Sequence, residues 1–141
     1  MAVLWSHSEY PQFVPYVKRL EILRDDGDAR LFYTQLSLPF VKDRDATMRT
    51  TRTQSPDTGA WEMTTVAAPD EGPPECETHV RIRMSISHWR LVPDGDGTAI
   101  TYMLRTDAGG LVPDWVANAA QKIATTKLIR AVLDRAARQD R

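Results

Sequence analysis

The chain predicts an α+β domain in which an antiparallel sheet packs on one long terminal helix, and three features predict it. Residues 17–106 carry alternating apolar patterns punctuated by turn residues. Residues 113–138 run without Gly or Pro after Pro113. The strands come first and the helix last, which is the order of a sheet with a helix laid on one face. At 141 residues the chain is one domain's worth, and 1–141 is taken as a single unit with room for a substantial core.

The elements follow in order. Ala2 to Trp5 reads as the end of a helix that begins before Met1, and Pro11 and Pro15 stop any continuation. Val17 to Arg24 and Ala29 to Leu38 flank Asp25-Asp26-Gly27-Asp28, a hairpin signal. A threonine-rich strand, Ala46 to Gln54, ends in the turn Pro56-Asp57-Thr58-Gly59. From Trp61 to Ala67 the side chains alternate, with Trp61, Met63 and Thr65 on one side. The clearest strand runs from His79 to Leu91. Val80, Ile82, Met84 and Ile86 form its apolar face, and Arg81, Arg83, Ser85 and Ser87 form its wet one, so Arg81 is expected in solvent. After Asp94-Gly95-Asp96-Gly97, the last strand, Thr98 to Arg105, puts Ile100, Tyr102 and Leu104 together.

Pro113 and Asp114 suit the start of a helix, and Arg130, Arg135 and Arg138 suit its negative end. Its stripe is Val116, Ala120, Ile123 and Ala124, continued by Leu128 and Ala131. The middle is built of small residues: Ala117, Ala119, Ala120, Ala124, Thr125 and Thr126. Small side chains facing a wide sheet either draw the two layers together or leave a cavity.

Charge and motifs exclude several classes. Eighteen basic residues against nineteen acidic ones, a net charge of -1, leave no electrostatic footprint for nucleic acid and no polybasic face for anionic lipid. No apolar run approaches the length of a membrane span. Cys76 is the only cysteine, which rules out a disulfide framework within the chain, and its neighbours Glu75 and Glu77 are expected to raise its pKa. His7, His79 and His88 share no metal-ligand spacing, and Asp94 to Arg105 lacks the final carboxylate of a calcium loop. Nucleophile elbow, phosphate loop, dinucleotide fingerprint and zinc-protease motifs are absent from the sequence. No catalytic residue, metal or cofactor is therefore assigned. Asp43-Arg44-Asp45 remains: either a surface ion pair at a strand start or a partly buried Arg–Asp pair that fixes a bend or orients a ligand's polar head.

Four stretches resemble the steroidogenic-acute-regulatory-related lipid transfer (START) family of the helix-grip superfamily. They are Leu38-Pro39-Phe40-Val41-Lys42-Asp43-Arg44-Asp45; Val80-Arg81 with Trp89-Arg90-Leu91-Val92-Pro93; Thr101-Tyr102 leading to Asp107-Ala108-Gly109-Gly110; and Leu111 to Asn118, with its Pro113, Trp115 and Asn118. Their order and spacing agree with the family from about Val3 to Arg135, in the manner of its bacterial single-domain members. The opening Glu9 to Tyr16 is also similar to coenzyme Q-binding and polyketide-cyclase relatives.

The resemblance implies a helix-grip fold: a curved antiparallel sheet wrapped around the C-terminal helix, with a tunnel for one hydrophobic molecule between them. It implies that the family's first strands are missing from this sequence, which is then a fragment, has a mis-assigned start or is a reduced version of the fold, and a sheet edge is left open. It also suggests the loop from Ala68 to Thr78 as a gate. Met63, Ile82, Met84, Ile100, Leu104, Trp115, Ala119 and Ile123 are then expected to surround a lipid, sterol or related ligand, with Arg44 and Asp45 as polar contacts. Burying about 300 Å² of ligand surface is worth roughly 7 kcal/mol before the association cost. This describes a binding or transfer protein, not an enzyme, with transient membrane contact and no nucleic-acid partner. It would be cytoplasmic, or periplasmic if an export signal precedes Met1. Two alternatives differ in what they predict. A cyclase or aromatase would bring Tyr33, Tyr102 or His88 together inside the tunnel. An interaction module would have a filled core.

Overall fold

The computed structural model describes residues 1–139. The chain opens with a short helix, α1 (Ala2–Trp5), a 3-10 turn over His7–Glu9 and a second short helix, α2 (Tyr10–Phe13). Seven strands follow: β1 (Val17–Asp25), β2 (Ala29–Leu36), β3 (Arg44–Gln54), β4 (Trp61–Ala67), β5 (Val80–Arg81), β6 (Met84–Asp94) and β7 (Gly97–Asp107). The long helix α3 (Asp114–Gln139) closes the fold.

All strands form one sheet in the order β1-β2-β3-β4-β6-β7, antiparallel throughout, with the short β5 added in parallel to the start of β3. β1 and β7 are the sheet edges among the described residues. Register fixes the two faces, because opposed residues point the same way. Phe32 is opposite Met48 and Thr34 opposite Ala46 on the face that α3 covers. Tyr33 is opposite Thr47, and Gln35 opposite Asp45, on the other face.

The strand expected from His79 to Leu91 is broken. β5 pairs with β3, whereas β6 pairs with β4 and β7 on the other side of β4, so the chain must cross over at Ile82 and Arg83. The crossing changes the phase of the alternation. Ile82 still points toward the helix side, but from Met84 onward the roles are exchanged. Ser85, Trp89 and Leu91 now face inward, and Met84 is turned outward and 42% exposed.

The space between sheet and helix divides in two. At one end α1 fills it: Val3, Leu4 and Trp5 pack with Met63, Trp89, Leu91 and Val132 into a dry core, joined by Leu128, Ile129 and Ala136 of α3. The guanidinium groups of Arg30 and Arg52 cover the Trp5 ring at 4.5 and 4.3 Å. His7 is buried beside this core, with its ring 4.9 Å from those of Tyr10 and Phe32. At the other end, under the first half of α3, the small residues leave the space unfilled.

Candidate functional site

The unfilled space is a cavity of about 620 Å³, within the range of small-molecule sites. Leu20 of β1, Phe32 of β2, Ala46 and Met48 of β3, Ile82 and Leu104 line the sheet side. Val116, Ala117, Ala120 and Ala124 line the helix side, and Leu38, Pro39, Val41 and Val112 border one end. From Arg44 to Met48 the cavity follows four strand steps, about 13 Å at 3.3 Å per residue. From Asp114 to Ala124 it follows about 15 Å of helix. A smaller, more polar recess between β7 and α3 shares Leu104, Asn118 and Gln121 with it, and there Gln121 Nε2 donates to the carbonyl of Leu104 at 3.5 Å.

Arg44 stands at the end bordered by the two loops. It is 2% exposed. Its Nε donates to the carbonyl of Ala108 at 3.3 Å, one Nη to Gly109 at 3.1 Å and the other to Lys42. Burial lowers its pKa, the direction expected when a cation loses water. The loop that supplies two of these carbonyls turns through Gly109 and Gly110, whose φ angles of +66° and +76° favour glycine. A Cβ on Gly110 would also stand 3.1 Å from an Nη of Arg44, so the glycine lets the guanidinium lie against the backbone.

Asp45, the next residue, points to the opposite face and is closed in by a different arginine. Arg81 binds it through two nitrogens, at 2.8 and 2.9 Å, and the Tyr33 hydroxyl donates to it at 2.8 Å. Burial pushes the Asp45 carboxyl up, but the hydrogen bonds from Arg81 and Tyr33 outweigh it and the net shift is downward. Arg81 also donates to the carbonyls of Pro69 and Pro74, which ties the loop 68–79 down over this face. Gly72 of that loop lies so close to Thr47 that a Cβ would come within 1.8 Å of the Thr47 Oγ1. The expectation that Arg81 faces solvent fails for this reason. It does leave the cavity side, but the loop covers it.

The model of the polyketide cyclase/dehydrase and lipid transport family matches residues 1–133. The chain belongs to that family. A crystal structure of a STAR-related lipid transfer protein from Xanthomonas axonopodis is 30% identical, with a TM-score of 0.79 over 93% of this chain and 73% of that one. The fold is therefore the START form of the helix-grip architecture. Human StAR-related lipid transfer protein 5, at 13% identity, shares that fold with a TM-score of 0.80 over 99% of this chain and 71% of its own. An uncharacterised Pseudomonas aeruginosa protein is 28% identical over 101 residues, and the chain spans about half (49%) of its length.

In this START-type chain the residues singled out from the sequence part company. Ile82, Leu104 and Arg44 line the cavity. Met63 does not, because it is 3% exposed inside the dry core beside Trp89. Met84 lies on the outer face, and Ile100 on the edge strand is 38% exposed. Trp115 and Ile123 are 75% and 53% exposed, and Ala119 is exposed beside them, since the inward stripe of α3 runs through Val116, Ala117, Ala120, Gln121 and Ala124 instead. Asp45 is on the far face of the sheet. The loop proposed as a gate, Ala68 to Thr78, covers that far face too, and the segment at the cavity's end is Leu38 to Val41. Phe32, Ala46, Met48 and Leu20 were missed as lining residues. The alternation of β2 and β3 carried that signal once the inward face was known.

Cys76 also departs from expectation. It is exposed in the loop, with Sγ 3.2 Å from Thr78 Oγ1 and 3.5 Å from His79 Nδ1. Hydrogen bonds from Thr78 and then His79 lower its pKa to about 7, opposite to the rise expected from the flanking glutamates.

Proposed function

We propose that this chain binds one hydrophobic molecule, a lipid or related compound, in the cavity beneath the first half of α3, and carries it without transforming it. The observation that carries the reading is the void itself. A 26-residue helix is held off the sheet along one half only, and the walls of the gap are mostly aliphatic and aromatic, with Arg44 and a few hydroxyl and amide side chains among them. Membership of a family described by lipid transport supports it, as does the likeness to a STAR-related lipid transfer protein.

The same family description includes cyclases and dehydrases, so the placement of proton donors matters. Tyr33 is engaged with Asp45 on the far face, Tyr102 stacks on Trp89 with ring centres 4.3 Å apart, and His88 shares a 2.9 Å hydrogen bond with Thr64. None of the three lines the main cavity, and the hydroxyl of Tyr10, which does line it, is spent on the carbonyl of Leu4; this arrangement favours carriage over acid–base chemistry. Loading from a bilayer by transient contact fits the exposed Phe40 and Leu111, both on segments that border the cavity. No helix among the described residues is long and apolar enough to cross a membrane.

Native mass spectrometry followed by organic extraction tests the reading. One hydrophobic adduct per chain is expected, and Ala124→Trp, which places an indole in the cavity, is expected to lose it while keeping the circular dichroism of the parent. A folded Ala124→Trp protein that still carries its adduct would place the ligand elsewhere.

A further inference from the structure

We infer that the molecule held in this cavity is an anionic amphiphile, a single apolar tail ending in a carboxylate or phosphate, with its head on Arg44. The inference rests on the cavity being a ligand site, and it names the class of ligand.

The two buried arginines of the sheet make the argument. Arg81, on the far face, is neutralised by Asp45 through two hydrogen bonds. Arg44, on the cavity side, has no acidic group within 4 Å among the described residues. Its partners are three neutral backbone carbonyls, at Lys42, Ala108 and Gly109. Those use three of the five N–H groups of a guanidinium. A charge buried without a counter-charge is costly, and a cation that retains free donors at the wall of an apolar cavity has one evident remedy. An oxyanion in the cavity would take the remaining N–H groups and cancel the charge, with the strength of charge-assisted hydrogen bonds. Backbone carbonyls already hold the guanidinium in place, so little ordering is required when the anion arrives.

The other ionisable groups facing the cavity do not supply the missing charge. The Tyr10 hydroxyl donates to the carbonyl of Leu4 at 2.6 Å. Asp107 accepts from the amide of Gly109 at 2.9 Å, and both it and Asp114 are exposed and solvated. Register sets the polarity of the ligand. Arg44 is opposite Leu36 at one end of the β2–β3 ladder, and Met48 is opposite Phe32 further along. The head would sit by the loops and the tail would run toward Phe32, Tyr10 and Ala124.

The test compares four ligands of equal tail on delipidated protein: hexadecanoate, hexadecyl phosphate, hexadecanol and methyl hexadecanoate, titrated calorimetrically at neutral pH. At least one of the two anions is expected to bind about tenfold or more tighter than both neutral compounds. Which anion wins tells carboxylate from phosphate. Arg44→Gln is expected to remove that advantage, so that the anions bind no tighter than the neutral compounds to the same variant. If that variant does not fold, the comparison within the parent protein decides alone. Equal binding of all four would overturn the inference and leave the cavity reading standing. Binding of none, with no adduct on the native protein, would overturn both.

Discussion

Asp45 and His7 are both buried and titratable, and they set the acid behaviour of the molecule in two separate windows. Burial and then the charge of Arg30 lower the His7 pKa from 6.5 to about 4, so the folded protein holds a neutral imidazole. The unfolded chain takes up that proton first. Stability is therefore complete above about pH 6.5 and declines as pH falls toward 4. Asp45, whose pKa is lowered from 3.8, contributes a second loss below that value, when its pairing with Arg81 is titrated away. Urea unfolding across this range is expected to show both declines. His7→Gln, which carries no titrating charge, is expected to remove the pH dependence of the upper one. Cys76 offers a third readout. Its rate of reaction with iodoacetamide is expected to rise with a midpoint near pH 7, well below the ordinary thiol value of about 8.5. A midpoint at the ordinary value would mean that Thr78 and His79 do not hold the thiolate. None of these three environments was legible in the chain: Arg30 for His7 and Arg81 for Asp45 are brought from elsewhere, and for Cys76 it is the turn of the loop that sets Thr78 and His79 against the thiol.

At the level of elements, alternation was legible and its phase was not. β2, β3 and β4 fall where their patterns put them, and α3 runs from Asp114 as Pro113 suggests. The failures have one geometric cause each. A crossover at Ile82 and Arg83 reversed the faces of β6, which put Met84 outside. On α3, Val116, Ala120, Ala124 and Leu128 of the expected stripe do face inward, whereas Trp115, Ala119 and Ile123, each one position before an inward residue, are turned out. The resemblance suggested a gate in the loop Ala68 to Thr78, yet its hydrogen bonds make it a cover for the Asp45–Arg81 pair. That role places a sharp demand on Gly72. Gly72→Ala is expected to cost about 1–3 kcal/mol in thermal or urea unfolding, because the new methyl meets the side chain of Thr47 and the cover must lift. The same variant is expected to be cut faster by proteases between residues 68 and 79. A variant as stable as the parent would show that the loop has slack the geometry does not suggest.

For the whole molecule, the small residues in the middle of α3 left two readings open, close packing or a void, and it is the void that lies beneath them. Close packing occurs where α1 supplies Val3, Leu4 and Trp5, and the void occurs where nothing reaches in. Sequence could not assign the halves, because the filling comes from residues more than a hundred positions away. This division has a dynamic consequence. One end of α3 is riveted through Leu128, Ile129, Val132 and Ala136, while the other has only thin contact with the layer beneath it. Local opening is governed by buried apolar contact, and here that contact changes abruptly along a single helix. Amide hydrogens of residues 118–124 are expected to exchange with deuterium far faster than those of 128–136, without global unfolding. A bound ligand would slow the first group and leave the second untouched. The helix would then act as a lever pinned at its far end, and its unpinned arm would set how quickly cargo enters and leaves.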